Sequence, residues 1–390
     1  MSRIRATALA AALATGVALL SAPAAHAGDG FFTSQDLLGA PTGLGEPAGW
    51  STPWDLKRHF AYVSQDKQVV VATAAPGGTW SWTVATTAAD TVGYLSTYSY
   101  SGDHSSHIVY ADADHHLIEL WSSDASPTWQ RVDLTATYQG PTITLDPHGY
   151  EQDGQQHIVF KDGHTNLAIW EAVFIPGTGW SFRDLTKLTG IHPKDDYGWY
   201  LAASPLGTDG EAIGYVGADG YPHMLAGQHG RWIDQRVGVP ADDEAFTMTS
   251  MAFLRAGRLK RYALRYFTSD LHVHEAAWEG GRWSDTDISA ALPQSDPRYA
   301  PAAGNDSYLW NADGSEHMFT IGADGAVLEY VRTRAGVWLM WTDTDPIPVG
   351  SAWVGAFAAP DDATHETEFF IHYDTARHVV IADLTAPYQA

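Results

Sequence analysis

The chain has 390 residues, with 22 Lys and Arg against 46 Asp and Glu, a net charge of −24, 18 His, 16 Trp and no Cys. So acidic a chain lacks the basic surface that phosphates require, which argues against nucleic acid and anionic membrane surfaces as partners. Without Cys there are no disulfides, thiolate metal sites or cysteine nucleophile, and the length suits one large all-β domain or two to three ordinary ones.

The chain opens with Arg3 and Arg5, an apolar stretch from Ala8 to Leu20, and Ala25-His26-Ala27, a small-x-small cleavage pattern. This is the layout of a secretory signal peptide over 1–27. The mature domain then spans 28–390 with a net charge of −26, secreted and extracellular. The apolar core is too short for a stable anchor, and no later run reaches transmembrane length, so no membrane insertion is expected.

Beyond the leader a Trp recurs at positions 80, 129, 180, 232, 283 and 338, at spacings of 49, 51, 52, 51 and 55. A His opens a short apolar run 21 to 23 residues before four of these: His59, His107, His157 and His317. A second strand-like segment follows, such as Leu117 to Trp121, Leu167 to Trp170, Leu271 to Trp278 or Val327 to Val331. An Asp-Leu-like pair then closes the unit, as in Asp133-Leu134, Asp184-Leu185 and Asp287-Ile288. Short β-branched and aromatic segments separated by turn clusters, without helical periodicity, predict four-stranded propeller units.

Six units end at the six Trp. A seventh starts near Glu368 and runs out of chain before its last strand. Its missing strand is expected at 31–38, where Phe32 stands four residues before Asp36-Leu37 and 48 residues before Trp80. The prediction is an all-β, seven-bladed β-propeller closed by an N-terminal strand that completes the last blade. Closure removes open sheet edges and restrains both termini in a domain without disulfides. The competing reading, two unrelated β-sandwiches, does not account for near-constant Trp spacing.

The best unit, His107-Ile108-Val109-Tyr110, Leu117-Ile118-Glu119-Leu120-Trp121, Trp129 and Asp133-Leu134-Thr135, resembles a family of secreted sugar-binding propellers. These are the fucose-binding fungal-type lectins and the related bacterial seven-bladed lectins. The resemblance implies glycan sites between neighbouring blades, built from aromatic faces and a few polar side chains. Carried over by position, it points to Glu119, Glu275 and Glu329, to Glu171 beside Trp170, and to the aromatics Trp121, Trp170 and Trp278. Fungal-type members also place an Arg in each site, and no Arg recurs here at one repeat position, so the implication is glycan binding without a stated sugar.

An aromatic plate beside carboxylates or amides suits sugars, whose C–H faces stack while hydroxyls hydrogen-bond around the rim. The six periodic Trp are read as packing wedges between blades. The repeated His is read as a structural hydrogen-bonder ahead of a ligand contact or a metal ligand, since equivalent positions on separate blades do not converge. Within one blade, His104, His107, His115 and His116 form the densest imidazole cluster. The pairs Asp195-Asp196, Asp242-Asp243 and Asp361-Asp362 are read as solvated loop charge, and Arg255, Arg258, Lys260, Arg261 and Arg265 as a solvated strand face. No cofactor or metal is expected, and the partner is a glycan or polysaccharide. A polysaccharide-degrading glycosidase or lyase is the alternative; repetition of the polar pattern favours multivalent binding over one asymmetric catalytic site.

Overall fold

The computed structural model describes residues 32–384, apart from positions 38, 46, 87, 89, 145–146, 164–166, 195–200, 207–209, 229, 240–247, 257–258, 269–271, 292–300, 311–314, 323–325, 334–335, 343–354, 361–365 and 375. The signal peptide expected at 1–27 and the three acidic pairs lie outside the described residues.

The strands form an all-β propeller. Among the described residues there are seven four-stranded antiparallel sheets, spanning 48–84, 91–133, 148–184, 201–236, 248–287 and 301–342, with the seventh at 355–384. The seventh takes Phe32–Asp36 as its fourth strand, pairing Phe32 with Leu384 and Asp36 with Val380. First strands of successive sheets touch in chain order, and the first strand of the first sheet also touches that of the seventh. Each first strand therefore lies inside and each fourth strand outside. No helix among the described residues is long and apolar enough to cross a membrane.

The second strands of the first four sheets are packed from both faces by their neighbours. Ser105–Asp112 is buried at every position, which is why the His-Ile-Val-Tyr segment reads as a continuous apolar run and not as an alternating one. The Asp-Leu pair ends the fourth strand for two reasons. Asp133 Oδ1 accepts the Ala136 amide at 2.8 Å and Asp184 Oδ1 accepts the Lys187 amide at 2.8 Å, capping the short helices Leu134–Tyr138 and Leu185–Thr189. The Leu beside each cap is fully buried.

The periodic Trp residues pack as wedges, each against an apolar cluster shared with the preceding sheet. Trp129 lies on the cluster of the first and second sheets, and Trp180 belongs to that of the second and third. Trp80 lies on a cluster joining Phe60 and Tyr62 to Leu37, Ile371 and Tyr373, so the two ends of the chain share one core. There Tyr373 donates its hydroxyl to Gly45 O at 2.6 Å. A Cβ at Gly43 would stand 2.0 Å from the Tyr373 ring, so only glycine fits that crossing.

One expectation is corrected. Arg261 and Arg265 do not lie on a solvated strand face; they are 6 % and 0 % exposed. Alternation along Leu259–Phe267 turns both towards the sixth sheet, where buried carboxylates neutralise them.

Candidate functional site

Glu119, Glu171, Glu275 and Glu329 occupy one register position, opposite Val132, Arg183, Thr286 and Trp341 on the fourth strand of their sheets. All four are buried. In three sheets the carboxylate receives the repeated His: Glu119 Oε1 lies 2.9 Å from His107 Nδ1, Glu171 Oε1 2.5 Å from His157 Nδ1, and Glu329 Oε1 2.5 Å from His317 Nδ1. The imidazole is sandwiched by an aromatic of the first strand, Tyr98 on His107 at 4.7 Å and Tyr150 on His157 at 5.2 Å, both within 10° of parallel.

The fifth sheet lacks the His, and Arg holds its carboxylate. In the fifth sheet Glu275 Oε2 accepts from Arg265 Nη2 at 3.0 Å, and its other oxygen from Arg261. Glu316 of the sixth sheet accepts Arg261 Nη1 at 2.6 and 2.7 Å, Arg332 Nη1 at 3.2 Å, and Arg265. Conversely, His59 of the first sheet lacks a carboxylate at the Glu position and contacts Thr73 Oγ1 at 3.0 Å. Burial, only partly opposed by Asp55, pushes its imidazole down to about 4.

Between the third and fourth sheets the same arrangement stays open. Glu211 and Glu316 each stand at one repeat position, immediately before the His slot of their sheets. Tyr150 donates to Glu211 Oε2 at 2.7 Å, Arg183 Nη2 donates to Oε1 at 3.0 Å, and His157 Nδ1 lies 3.2 Å from Oε2. The Arg183 Nε also donates to Glu171, and its guanidinium lies 5.5 Å from the Trp232 ring centre. Burial works to neutralise both His157 and Glu211. Their mutual hydrogen bonds and those of Glu171 and Tyr150 overcome it, raising His157 to about 9 and lowering Glu211 to about 2.

A cavity of about 280 Å³ opens here, lined by Trp232, Arg183, Glu211, His157, Gln152 and Gln228 among others. One lining residue, a glycine, sets this interface apart. Cross-strand partners of the wedge Trp are Phe174 for Trp180, Trp278 for Trp283, Arg332 for Trp338, but Gly227 for Trp232. A Cβ at Gly227 would stand 2.8 Å from the Trp232 ring and 3.0 Å from Glu211 Cγ. On the wall, Gln152 is 6 % exposed and neither its amide oxygen nor its amide nitrogen has a hydrogen-bond partner. A buried amide without partners is costly unless a ligand or water completes it.

None of the seven residues expected from sequence lines this cavity. Glu171 comes nearest, holding His157 and Arg183 from behind. The three strand aromatics do not share a repeat position: Trp121 lies two residues after its Glu, Trp170 one before and Trp278 three after. Trp121 matches Val173, on the cavity wall of the next sheet; Trp170 packs into the core between the second and third sheets, and Trp278 lies 5.7 Å from Trp283. Sequence reasoning missed Arg183, Gln152 and Gly227, which carry no repeated pattern, and Glu211, whose repeat position is shared by Glu316. The His–Glu bond did leave a signal: the two co-occur 12, 14 and 12 residues apart in the second, third and sixth sheets.

No family model matches the chain, and no curated protein matches it. Solved structures do. The BP39L lectin of Burkholderia pseudomallei aligns with a TM-score of 0.65 at 14 % identity over 88 % of this chain and 96 % of that one. AofleA of Arthrobotrys oligospora aligns at 0.58 and 12 %, covering 81 % and 90 %. The Aleuria aurantia lectin, described as a six-bladed β-propeller with a novel fucose recognition mode, aligns at 0.54 and 14 %, covering 80 % and 100 %. At such identities the likeness is one of propeller fold.

Proposed function

We propose that this chain is a secreted, glycan-binding propeller of the lectin kind, taking a single sugar residue in the cavity between the third and fourth sheets. The observation that carries this reading is the buried, unpartnered Gln152 amide on a wall it shares with an aromatic plate, Trp232, and a fixed ion pair, Arg183 and Glu211. Stacking on Trp232 covers a sugar's C–H face, while vicinal hydroxyls reach the guanidinium, the carboxylate and the amides. A volume near the roughly 300 Å³ lower end of small-molecule sites fits one residue better than a chain of them.

Glu211, held ionised, suits hydroxyl acceptance and is a poor proton donor at neutral pH, which favours binding over glycosidic cleavage. Fucose is the first sugar to test, since a mutant of the Aleuria aurantia lectin was solved in complex with α-methyl-L-fucoside. In this reading Glu119, Glu171, Glu275 and Glu329 serve the sites by holding His or Arg in place. Trp121, at the position of the cavity-wall Val173, is a second plate, and Trp170 and Trp278 support from the core.

The same proposal includes a ring of seven blades closed by the N-terminal strand, with cleavage after Ala27. Seven sheets and the pairing of Phe32–Asp36 with Val379–Leu384 support it. A glycan array with the mature protein, with and without EDTA, should return a coherent glycan set that Arg183→Ala weakens at least tenfold in a follow-up titration. A blank array, or binding indifferent to Arg183→Ala and to filling of the cavity, overturns the site.

A further inference from the structure

The start of the third strand of the fifth sheet, Val273–Glu279, lies at the opposite end of the strands from the cavity. There His272 precedes the third strand, which begins Val273-His274, and the fourth ends Asp285-Thr286-Asp287. His274 pairs across the ladder with Asp287. His272 Nδ1 lies 2.7 Å from Asp287 Oδ2, and His274 Nε2 lies 4.0 Å from the same oxygen. One ligand atom from each of His272, His274 and Asp287 falls within 4.8 Å of the others.

The second sphere is built as well. His274 Nδ1 faces Asp285 Oδ2 at 2.8 Å, and Asp285 in turn accepts the hydroxyl of the buried Tyr266. Tyr266 is itself fixed, accepting the Val239 amide at 2.9 Å. A carboxylate on Nδ1 makes that nitrogen the proton donor and turns the Nε2 edge of the ring towards Asp287 Oδ2. Histidines that bind zinc are held in this way, the distal nitrogen donating to a carboxylate. Asp287 Oδ1 meanwhile caps the turn Ser289–Ala291 through the Ala290 amide at 2.8 Å, leaving Oδ2 as the one ligand atom.

Two other His and carboxylate clusters lack these features. In the second sheet His116 meets Asp133 at 2.8 Å, but the third member, Asp112, is 3.5 Å from Arg131 and brings no second imidazole. His157, Glu171 and Glu211 already enclose the Arg183 guanidinium. Within the dense imidazole stretch of the second sheet, His107 turns inward to Glu119 while His115 faces Ile143 O.

We propose that His274 Nε2, His272 and Asp287 Oδ2 bind one zinc-class divalent cation. Asp285 and Tyr266 orient His274, and at least one coordination position is left to water. Two imidazoles and one carboxylate form a set that suits Zn²⁺ at bonds of about 2.0–2.2 Å. Closing the ligands onto an ion replaces the hydrogen bond between His272 and Asp287, releasing its proton to solvent, draws His274 and Asp287 together and pins the third strand to the turn after the fourth.

The test uses untagged, chelator-stripped mature protein and does not depend on sugar binding. Titration with Zn²⁺ alone at pH 7.5 should show one equivalent bound, and Co²⁺ should give the intense visible absorption of a four-coordinate site. His274→Gln should lower Zn²⁺ affinity at least 30-fold, and Asp285→Asn about 10- to 100-fold through His274 alone. Far-UV circular dichroism and melting in EDTA establish that the variants fold. The wild-type Co²⁺ spectrum needs no variant. No stoichiometric binding, an octahedral Co²⁺ spectrum, or binding unchanged in His274→Gln overturns the site.

Discussion

The third-to-fourth and fifth-to-sixth interfaces are built from the same parts, yet one is a cavity and the other is sealed. Each has a glutamate before the His slot, Glu211 or Glu316, and a wedge Trp opposite, Trp232 or Trp338. Across from Trp232 stands Gly227; across from Trp338 stands Arg332, and with Arg261 and Arg265 it fills the gap and neutralises Glu316 and Glu275. At these two interfaces the residue across from the wedge differs, and with it the packing around the carboxylate. Over Gly227 the Trp232 ring lies against the strand; at the other interface Arg332 stands in that place and bonds Glu316.

This contrast can be broken on the sealed side. Glu316→Ala leaves Arg261 and Arg265 buried with too little negative charge, and should cost about 3–5 kcal/mol of stability by urea unfolding. On the open side, Gly227→Phe supplies the side chain of the neighbouring sheet at Phe174. It should displace the Trp232 ring, which a Cβ there meets at 2.8 Å, and abolish sugar binding by calorimetry, a loss of 100-fold or more, with circular dichroism checking that the sheet still forms. Retained affinity in that variant would place the ligand elsewhere.

The buried imidazoles sharpen the comparison with opposite pH dependences. His59 is pushed down to about 4, so the stability its neutral form provides is present above about 6.5 and is lost as pH falls towards 4. His157 is raised to about 9, so the stability from its cation is complete below about 6.5 and is lost as pH rises through 9. Urea midpoints at pH 5, 7 and 9 should show His59→Gln flattening the acid side and His157→Gln the alkaline side. The smallest effect expected is from Trp121→Ala: affinity at the cavity between the third and fourth sheets should change less than twofold, with any loss confined to total sites per chain.

Much of the architecture was readable because it is repeated. A wedge Trp, a capping Asp with its buried Leu and a doubly buried strand each answer a local need that every sheet shares, so they recur at a fixed period. The glutamates were visible for the same reason, and the structure buries all four. Repetition marks what each sheet needs to stand, and here that is a carboxylate for a buried imidazole at His107, His157 and His317.

The sequence by itself determined strand content, the period of the units, the wedge positions and the strand at Phe32–Asp36 whose partner lies at the other end of the chain. Local propensity and hydrophobic pattern are enough for these. Tertiary structure alone decided which carboxylates are sealed and which reach a cavity. Arg183 and Glu211, or Arg265 and Glu316, meet only when adjacent sheets pack face to face, 28 and 51 residues apart in the chain. Whether a charge there serves a ligand or the core depends on the volume left by the opposing side chain, which no single segment encodes.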